Sequence, residues 1–597
     1  MPTIRRARLL ATVVAGLLGT ASAVSASGAQ ASQRTAEAPK NNVVVRAMRD
    51  ELARSIQQLR LDTLPKPYFI AYRVTESHGE GASGRLGALI GTSEGRGNRL
   101  LQVEVRVGDY AFDNTNYFGA GFLPTQFVGF GALPVDDDYQ ELRRQIWLAT
   151  DRAYKQALEA LSQKRAALET RSRTDDLADF SREPVTNTVD EVPPPAASPN
   201  RQSIETLARD LSAAFRSASE IYNSSVGVQT SWFRTVYLNS EGTSYVRARP
   251  HASVSAQAST QAVDGTALSM SYSVQAATVA ELPGRDSLLS GVRSLAARLT
   301  EQRHLPLADA YDGPVMFEGA AAAEVFNQLL ASKLVGARPP VTSPTFAQMV
   351  GGSENDWGEL IGSLVLPRWM SVVDDPSLRT MDGQPVESYR VDDDGVTTRA
   401  TTMIDHGMLK TLLTSRTPVA GVEHSTGNRF GGGPRPMHVM VNADSTVSDA
   451  DMRHKLIEMA AAQGRPYGVI VRQLAGPGSV GDDPQAMVAF IMAQQGRSGP
   501  PAVRGMRAVK VFADGHEEPM RGAEISGLSA SSFKDIVAAS RTRTVHTDNF
   551  TSGGSIFAGN AGNGSVTYQV PSLLFANLSI RKPRGTTPRL PVVAPPE

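Results

Sequence analysis

Hydrophobic residues recur with a helical period in several segments of the chain. The first predicted helix covers about residues 43–60, and the longest runs from Tyr139 to about residue 170. The apolar face of the longest helix consists of Tyr139, Leu142, Ile146, Ala149, Ala153, Ala157 and Leu161. The same spacing predicts further helices over about residues 204–218, 285–303, 447–463 and 530–540.

Other segments alternate apolar and polar residues, as strands with one buried face do. Strands are predicted at "PYFIAYRVTES", at "RLLQVEVRVGDYAF", within residues 222–282 and at the closing "SLLFANLSIRK". The region after Tyr311 is predicted to be mainly β beyond its first helix, with turns at Asp394-Gly395 and His406-Gly407. A third turn is predicted within "VFADGHEEPM", so the side chains expected to be solvated are those of His516, Glu517 and Glu518.

The length of 597 residues exceeds what one hydrophobic core supports, so at least two domains are expected. Residues 43–305 are assigned to an N-terminal domain and residues 306–590 to a C-terminal domain. Residues about 172–203 are acidic and then proline-rich, and they are interpreted as a surface linker within the first domain.

The N-terminus has the three parts of a secretory signal. Arg5, Arg6 and Arg8 precede an apolar run from Leu9 to Leu18, and small residues follow. Residues 1–31 are therefore interpreted as a signal peptide, and the mature protein is expected in the periplasm. A non-cleaved anchor is the alternative, which the shortness of the run and its small residues disfavour. No later segment is apolar enough to span a bilayer.

The amino-acid composition restricts the partners and catalytic groups that this protein can have. The 60 basic residues balance 60 acidic ones, which gives no electrostatic case for a nucleic acid or an anionic membrane as partner. The chain has no cysteine, which excludes disulfides, thiolate metal ligands and a cysteine nucleophile. No two of the nine histidines have the H-E-x-x-H spacing of a zinc-binding helix. A Ser/His/Asp triad stays open, because its members need not be neighbours in sequence.

Two acidic runs and one glycine-rich segment are the remaining candidates. The aspartates at 136–138 suit the N-terminus of the long helix better than a metal ion. The run at 392–394 resembles a calcium loop, but Thr401 stands where an EF-hand needs its glutamate, so a hairpin turn is predicted. The segment "EHSTGNRFGGGPRPMH" is either a structural loop or a ligand-facing one. The ligand-facing residues would be His424, Ser425, Thr426, Gly427, Asn428 and Arg429.

Three segments then occur in a recognisable order: "YDGPVMFEGAAAAEVF", "IDHGMLKTLLTSRTP" followed by "HSTGNRFGG", and "YQVPSLLFANLSIRK". Over about residues 311–585 they resemble landmarks of the TldD/PmbA family, also called the modulator of DNA gyrase family and classed among metallopeptidases. The resemblance implies an α+β fold with a smaller mixed N-terminal domain and a large β-rich C-terminal domain. It also implies dimers that enclose a cleft for unfolded peptides.

In that family, TldD-type subunits hold a metal with an H-E-x-x-x-H helix and a distant cysteine, and PmbA-type (TldE-type) subunits lack these and pair with a catalytic subunit. Laid without gaps on this chain, the first histidine falls on Glu318, the glutamate on Gly319 and the second histidine on Ala323. Metal-activated water needs about three protein ligands and a base. No cofactor is therefore predicted, and zinc enters only if other residues bind it. Glu318 and Glu324 either face the vacated site or belong to a helix start and an exposed face.

Three functions remain. The first is an exported, non-catalytic PmbA-like subunit that binds unfolded peptides or forms a homodimer, or a heterodimer with a TldD-like partner. The second is a working hydrolase, whose metal would be held by other ligands such as His424, His438, His546, Glu318 and Glu324, or which uses no metal. The third is a cell-envelope binding protein that acts alone. The "gyrase" label fits poorly with a signal peptide and with the absence of a basic surface.

Overall fold

The computed structural model describes residues 42–118, 131–169, 176–192, 201–336, 338, 340–342, 356–475, 503–550 and 564–582. The predicted signal peptide lies outside these residues. All of them belong to one compact unit. Within these ranges, no helix combines the length and apolar character that a bilayer crossing needs.

Six α-helices occur in the described residues. They are α1 (Val43–Gln58), α2 (Tyr139–Glu169), α3 (Arg201–Ala213), α4 (Arg285–His304), α5 (Ala320–Leu329) and α6 (Asp449–Ala462). Each was predicted from the sequence. At the start of α2, the amide of Glu141 donates to Asp138 Oδ1 at 2.8 Å, so this aspartate caps the helix as expected.

The helix predicted over residues 530–540 is wrong. Ala530–Asp535 forms a 3-10 turn, and Ile536 begins a long strand. Tertiary contacts decide this segment, because Phe533 is fully buried and the next residues pair with the C-terminal strand.

The first sheet is formed by residues before α4. Its strands are β1 (Pro67–Arg85), β2 (Ala88–Val107), β4 (Gly131–Ala132), β5 (Asn187–Glu191), β6 (Asn223–Asn239), β7 (Ser244–Gln261) and β8 (Ala267–Ala276), while β3 (Tyr117–Phe118) pairs elsewhere. The order is β4-β2-β1-β6-β7-β5, and β8 also pairs with β7. All of these pairings are antiparallel except that of β5 with β7.

The linker predicted over about residues 172–203 needs correction for residues 176–192. This part contains β5, which extends the first sheet alongside β7. Asp179 and Phe180 are buried, and Lys164 Nζ lies 2.6 Å from Asp179 Oδ2. A buried ion pair and an aromatic anchor therefore hold a segment whose composition alone suggests an exposed excursion.

The second sheet comes after α4. Its strands are β9 (Tyr311–Phe317), β11 (Met370–Asp374), β14 (Thr401–Asp405), β15 (Met408–Leu409), β18 (His438–Ala443), β19 (Tyr467–Leu474), β20 (Val503–Phe512), β21 (Glu517–Met520), β22 (Ala523–Ser526), β23 (Ile536–Phe550) and β24 (Gly564–Arg581). Short pairs are formed by β10 (Val341–Thr342) with β3, β12 (Thr380–Met381) with β13 (Gln384–Pro385), and β16 (Arg429–Phe430) with β17 (Gly433–Pro434).

The pairings of the second sheet close on themselves. β9 pairs with β24, β24 with β22, β22 with β20, β20 with β19, and β19 again with β9. This mixed, mostly β architecture confirms the α+β class and the β-rich C-terminal region. The division into two domains at residues 305 and 306 stays a prediction, although the chain passes from one sheet to the other between α4 and β9.

The two turns predicted near residue 400 are both present. His406 and Gly407 have φ angles of 46° and 77° and join β14 to β15 in a tight hairpin. Around Asp394-Gly395, only an isolated bridge between Val391 and Thr397 is formed. That turn is buried instead of exposed, because it meets the first sheet.

Alternation along the strands gives the first sheet two different faces. Ile70, Tyr72 and Val74 of β1 lie in the apolar core with α1 and α2. Phe69 and Ala71 project to the other face and pack with Phe180, Tyr237, Tyr245 and Val391. That second face contacts the region of the second sheet.

Charged side chains fill this contact, which we call the charged interface. It consists of Arg73, Glu104, Arg106, Glu241 and Arg247 from the first sheet and its loops, and of Asp392, Asp393, Asp394, Arg416 and Arg429 from the second region. Arg247 Nη1 lies 3.2 Å from Asp393 Oδ1, and Arg73 donates to the Asp393 carbonyl. Burial alone would raise the pKa of Asp393, but Arg73 and Arg247 hold it below its ordinary value.

Arg416 joins three parts of the charged interface. Its Nη1 and Nη2 donate to the two carboxylate oxygens of Glu241 at 2.6 and 2.8 Å, and its Nη2 donates to the Ser181 carbonyl at 2.6 Å. Its guanidinium stacks 3.8 Å from the ring of Phe180, and that of Arg106 lies 3.6 Å from the same ring. Phe180 is thus held by two cations from different regions of the chain.

Arg416→Ala is expected to destabilise the protein by about 3 kcal/mol, because it leaves Glu241 without its bidentate partner inside the interface. The urea midpoint of the first unfolding transition measures this change. Arg201→Ala is the matched control, since Arg201 is exposed and its pairing with Glu205 is worth at most about 1 kcal/mol. Equal midpoints for the two variants would contradict the importance of the charged interface.

Candidate functional site

The connection from β9 to α5 contains the residues on which the sequence resemblance places the family's metal motif. The amide of Glu318 donates to the Val471 carbonyl at 2.9 Å, which extends the pairing of β9 with β19 by one residue. Gly319 follows with φ 62° and ψ −126°, a conformation that side-chain-bearing residues rarely adopt. A glutamate at this position would therefore be strained unless the backbone changed.

Ala323, which aligns with the second histidine, is fully buried. It belongs to the main apolar core of the second region, together with Ala321 and Ala322 on the same helix. An imidazole at this position would have to displace core side chains and would lose its contact with water. Ala323 is thus part of the packing of this core.

The carboxylate of Glu318 is bound to two arginines. Arg472 Nε donates to Glu318 Oε2 at 2.7 Å, and Arg453 Nη2 donates to Oε1 at 3.3 Å. The same two arginines bind Glu517, with distances of 2.7 Å from Arg453 Nη1 and 2.8 Å from both Nη1 and Nη2 of Arg472. The four side chains form a closed, neutral cycle, which we call the ion ring.

The ion ring corrects the expectation that Glu517 is solvated. Its side chain is 26% exposed and is held between two guanidinium groups. The hydrogen bonds from Arg472 lower the pKa of Glu517 below its ordinary value. The turn after β20 was predicted correctly. However, β21 and α6 place Glu517 next to the start of α5, and no local sequence pattern indicates this contact.

Glu324 lies one turn further along α5, in a second polar cluster. Its Oε2 accepts a hydrogen bond from the amide of Leu474 at 2.6 Å, and its Oε1 lies 3.9 Å from His546 Nε2. Burial raises the pKa of Glu324 to about 7, and the charge of Asp548 adds to this effect. Burial also lowers the pKa of His546. Near neutral pH the pair therefore tends toward an uncharged carboxyl and an uncharged imidazole.

Asp548 is fixed by an adjacent hydrogen-bond chain. Asn327 Nδ2 donates to Asp548 Oδ2 at 2.9 Å, and Asn327 Oδ1 accepts from the hydroxyl of Tyr568 at 2.7 Å. Asn327 is three residues after Glu324 and lies on the same side of α5. Sequence reasoning singled out Glu324 and His546 but missed Asn327 and Asp548.

The five residues weighed as substitute metal ligands do not converge. Glu318 belongs to the ion ring, and Glu324 is near His546. His424 is exposed and lies 3.4 Å from Glu183, while His438 is buried in β18. Among the described residues, no three His, Asp or Glu side chains are arranged to hold a metal ion. The donor set does not fit the zinc centre that the family's catalytic members use.

The glycine-rich segment is built into the protein interior. Ser425, Thr426 and Asn428 are buried, and Asn428 Nδ2 donates to Asp374 Oδ2 at 2.6 Å. Gly427 is also buried, with a φ angle of 79°. Arg429 pairs with Asp394 in the charged interface, which leaves His424 as the only exposed member of the six. These contacts favour the structural alternative over the ligand-facing one.

Comparison with known proteins shows the family of the chain. Residues 313–495 match the model of the PmbA/TldA metallopeptidase C-terminal domain, and residues 193–302 match that of the PmbA/TldA metallopeptidase central domain. The chain belongs to the TldD/PmbA family. The second match begins at Pro193, inside the N-terminal domain predicted over residues 43–305 and at the start of its run of prolines. No curated protein matches the chain.

Solved structures of this family share the fold. TldE from Thermococcus kodakarensis superposes with a TM-score of 0.54 at 15% identity, covering 90% of this chain and 100% of that one. A candidate modulator of DNA gyrase from Bacteroides thetaiotaomicron has a TM-score of 0.52 at 11% identity and covers 90% and 98%. A second such candidate, from Thermotoga maritima, has a TM-score of 0.50 at 14% identity and covers 86% and 96%.

Ala323→His is expected to destabilise this TldD/PmbA chain by about 3 kcal/mol, because it overfills the core and buries a polar ring. Ala320→His, at the half-buried start of the same helix, is the matched control, with an expected cost below about 1 kcal/mol. Thermal and urea unfolding measure both variants. A stable Ala323→His protein would show that the second ligand position is still open.

The Glu324 carboxyl predicts a dependence of stability on pH. Because its pKa is raised from 4.5 to about 7, its contribution is present below the unfolded value and is lost as the pH rises through 7. Glu324→Gln keeps an acceptor for Leu474 and removes the titration. The stability of this variant relative to the wild type should therefore rise by about 2 kcal/mol between about pH 5 and about pH 8.

Urea midpoints at several pH values measure this effect. Glu359→Gln, which changes an exposed carboxylate, should follow the wild type. A constant difference between Glu324→Gln and the wild type would mean that Glu324 does not titrate in this range.

Proposed function

We propose that this protein is an exported, non-catalytic PmbA/TldE-like subunit that binds unfolded peptides or pairs with an active metallopeptidase subunit. The ion ring is the main observation that supports this proposal. Glu318, at the position of the first metal ligand, accepts hydrogen bonds from Arg453 and Arg472 with its two carboxylate oxygens. A carboxylate held by two guanidinium groups is a poor ligand for a cation, since both arginines would have to be displaced.

The remaining positions support the same conclusion. Gly319 offers no general base, Ala323 is packed in the core, and the cysteine-free chain has no thiolate ligand. The proposal of export to the periplasm is supported by the basic and apolar character of residues 1–31. Retention of the family fold around an emptied motif is expected if the cleft still serves for binding or for subunit pairing.

The mature chain is expected to be free of zinc and to leave casein intact, whether zinc or a chelator is added. Elemental analysis of the purified protein and gel-based cleavage assays measure these two properties. Near-stoichiometric zinc together with cleavage that a chelator abolishes would refute the proposal. If the protein pairs with an active subunit, using it to capture partners from a periplasmic extract should enrich a chain that carries the H-E-x-x-x-H motif.

A second candidate function is a hydrolase that uses no metal, and the approach of Glu324 to His546 is the observation that favours it. A carboxyl with a pKa of about 7 beside a neutral imidazole is suited to proton transfer. Cleavage of casein by the metal-free chain, abolished in both Glu324→Gln and His546→Gln, would establish this candidate in place of the first.

A further inference from the structure

The strand β8 forms an open edge of the first sheet. In the part of the chain that the structure describes, β8 pairs only with β7, over ten consecutive residue pairs without a register shift. An antiparallel strand directs every second amide and carbonyl away from its partner, so about five residues of β8 present backbone hydrogen-bonding groups to the outside. Such an edge is a template on which another strand can pair.

The side chains of β8 do not protect this edge. Proteins usually block a long edge strand with charged residues, a proline or a bulge. The sequence of β8, ALSMSYSVQA, contains none of these. By contrast, the long strands β2 and β23, which also have edges that are open over most of their length, carry charged residues such as Glu94 and Arg543. Of these three edges, β8 is therefore the one suited to pairing.

The alternation along β8 suits pairing with an identical strand. The apolar side chains point to the face that α4 covers, and they are those of Leu268, Met270, Tyr272 and Val274. Ser271 is exposed on the other face. A two-fold axis through Ser271 places Met270 opposite Tyr272 and Leu268 opposite Val274. The apolar residues of both copies then share one face, and no like charges meet.

The helix above this strand leaves room for a second copy. α4 packs on both β7 and β8, and a Cβ atom at Gly291 would lie 2.4 Å from Tyr272 Cζ, so Gly291 is directly above β8. Pairing of two copies of β8 would place the two α4 helices about 10 Å apart, near the usual distance between packed helices. Ser287 and Ser294 are exposed and share the side of α4 on which Gly291 lies. These small residues permit the approach.

The size of this contact is sufficient for a specific dimer. β8 and α4 are each about 30 Å long, and the sheet with its helix layer is about 20 Å deep, so each copy would bury about 600 Å². The total of about 1,200 Å² reaches the lower end of the range for specific interfaces. About five hydrogen-bonded residue pairs would add about ten backbone hydrogen bonds, the usual number for an interface.

We propose that two copies of this protein associate through β8, antiparallel about Ser271, so that one sheet continues across both subunits. The occupant of the edge is a second copy of the chain, because the pattern of β8 is complementary to itself. The inference does not rest on the proposed function. β8 shares no residue with the ion ring, and its pairing requires neither a peptide ligand nor a metallopeptidase.

Cysteine cross-linking of the mature chain tests the register, since the native sequence has no cysteine. In Ser271→Cys, the two cysteines would face each other across the axis at a Cα separation that a disulfide spans. Mild oxidation should convert most of this variant to a covalent dimer on a non-reducing gel. Gln257→Cys is the matched control and should stay monomeric on the gel. Gln257 is exposed on the same face and lies opposite Ser271, but on β7, one strand inside the edge.

Sedimentation velocity measures the association without a cross-link. The wild type should be a dimer, and Ser271→Lys should weaken its association at least about tenfold, because two like charges would lie directly opposite each other. Gln257→Lys, which adds the same charge one strand inside the edge, should associate as the wild type does. Circular dichroism checks that both variants fold.

Three results would each overturn the proposal: a monomeric wild type, equal association of Ser271→Lys and Gln257→Lys, or equal cross-linking of the two cysteine variants. Arg472→Gln opens the ion ring and should leave the dimer unchanged. The β8 contact and the proposed function therefore fail independently.

Discussion

Burial of charge at the contact between the two sheets is the constraint on which the arrangement of this protein depends. Asp393 meets Arg247 of the other region, and Arg416 meets Glu241 in the opposite sense. Asp394 pairs with Arg429 of its own region, and all of these side chains are at most 18% exposed. Such groups are costly to bury unless each has a partner with good geometry. The pairing therefore leaves few relative positions of the two sheets in which every charge is matched.

The same requirement shapes the segments around the contact. Residues 176–181 remain in place because Phe180 stacks between two guanidinium groups and Asp179 binds Lys164. The glycine-rich segment folds inward because Asn428 and Arg429 supply partners for buried aspartates. Burial raises the pKa of Asp392 to about 8, with the neighbouring Asp394 adding to the effect, so this member of the run is the one that tends to stay protonated.

Periodicity revealed the helices and the long strands, because each buries one continuous face against a core. Periodicity gave wrong predictions for residues whose structure depends on contacts with residues distant in sequence. Residues 536–539 have a helix-compatible composition but pair with β24, and Glu517 looks solvated until α6 and β19 supply its arginines. The mismatch with the family's metal motif is visible in the sequence at Glu318, Gly319 and Ala323. The ion ring could not be predicted, since its four members come from separate parts of the chain.

The C-terminal strand has a consequence for how the chain reaches its folded state. β24 pairs with β9, β18, β22 and β23, so four strands keep an unpaired edge until residues 564–581 are available. A chain still emerging from a ribosome or a membrane pore cannot complete this sheet, and its exposed edges are sites for aggregation. Productive folding of the second region must therefore wait for nearly the whole polypeptide, and a chaperone that shields strand edges would act during that interval.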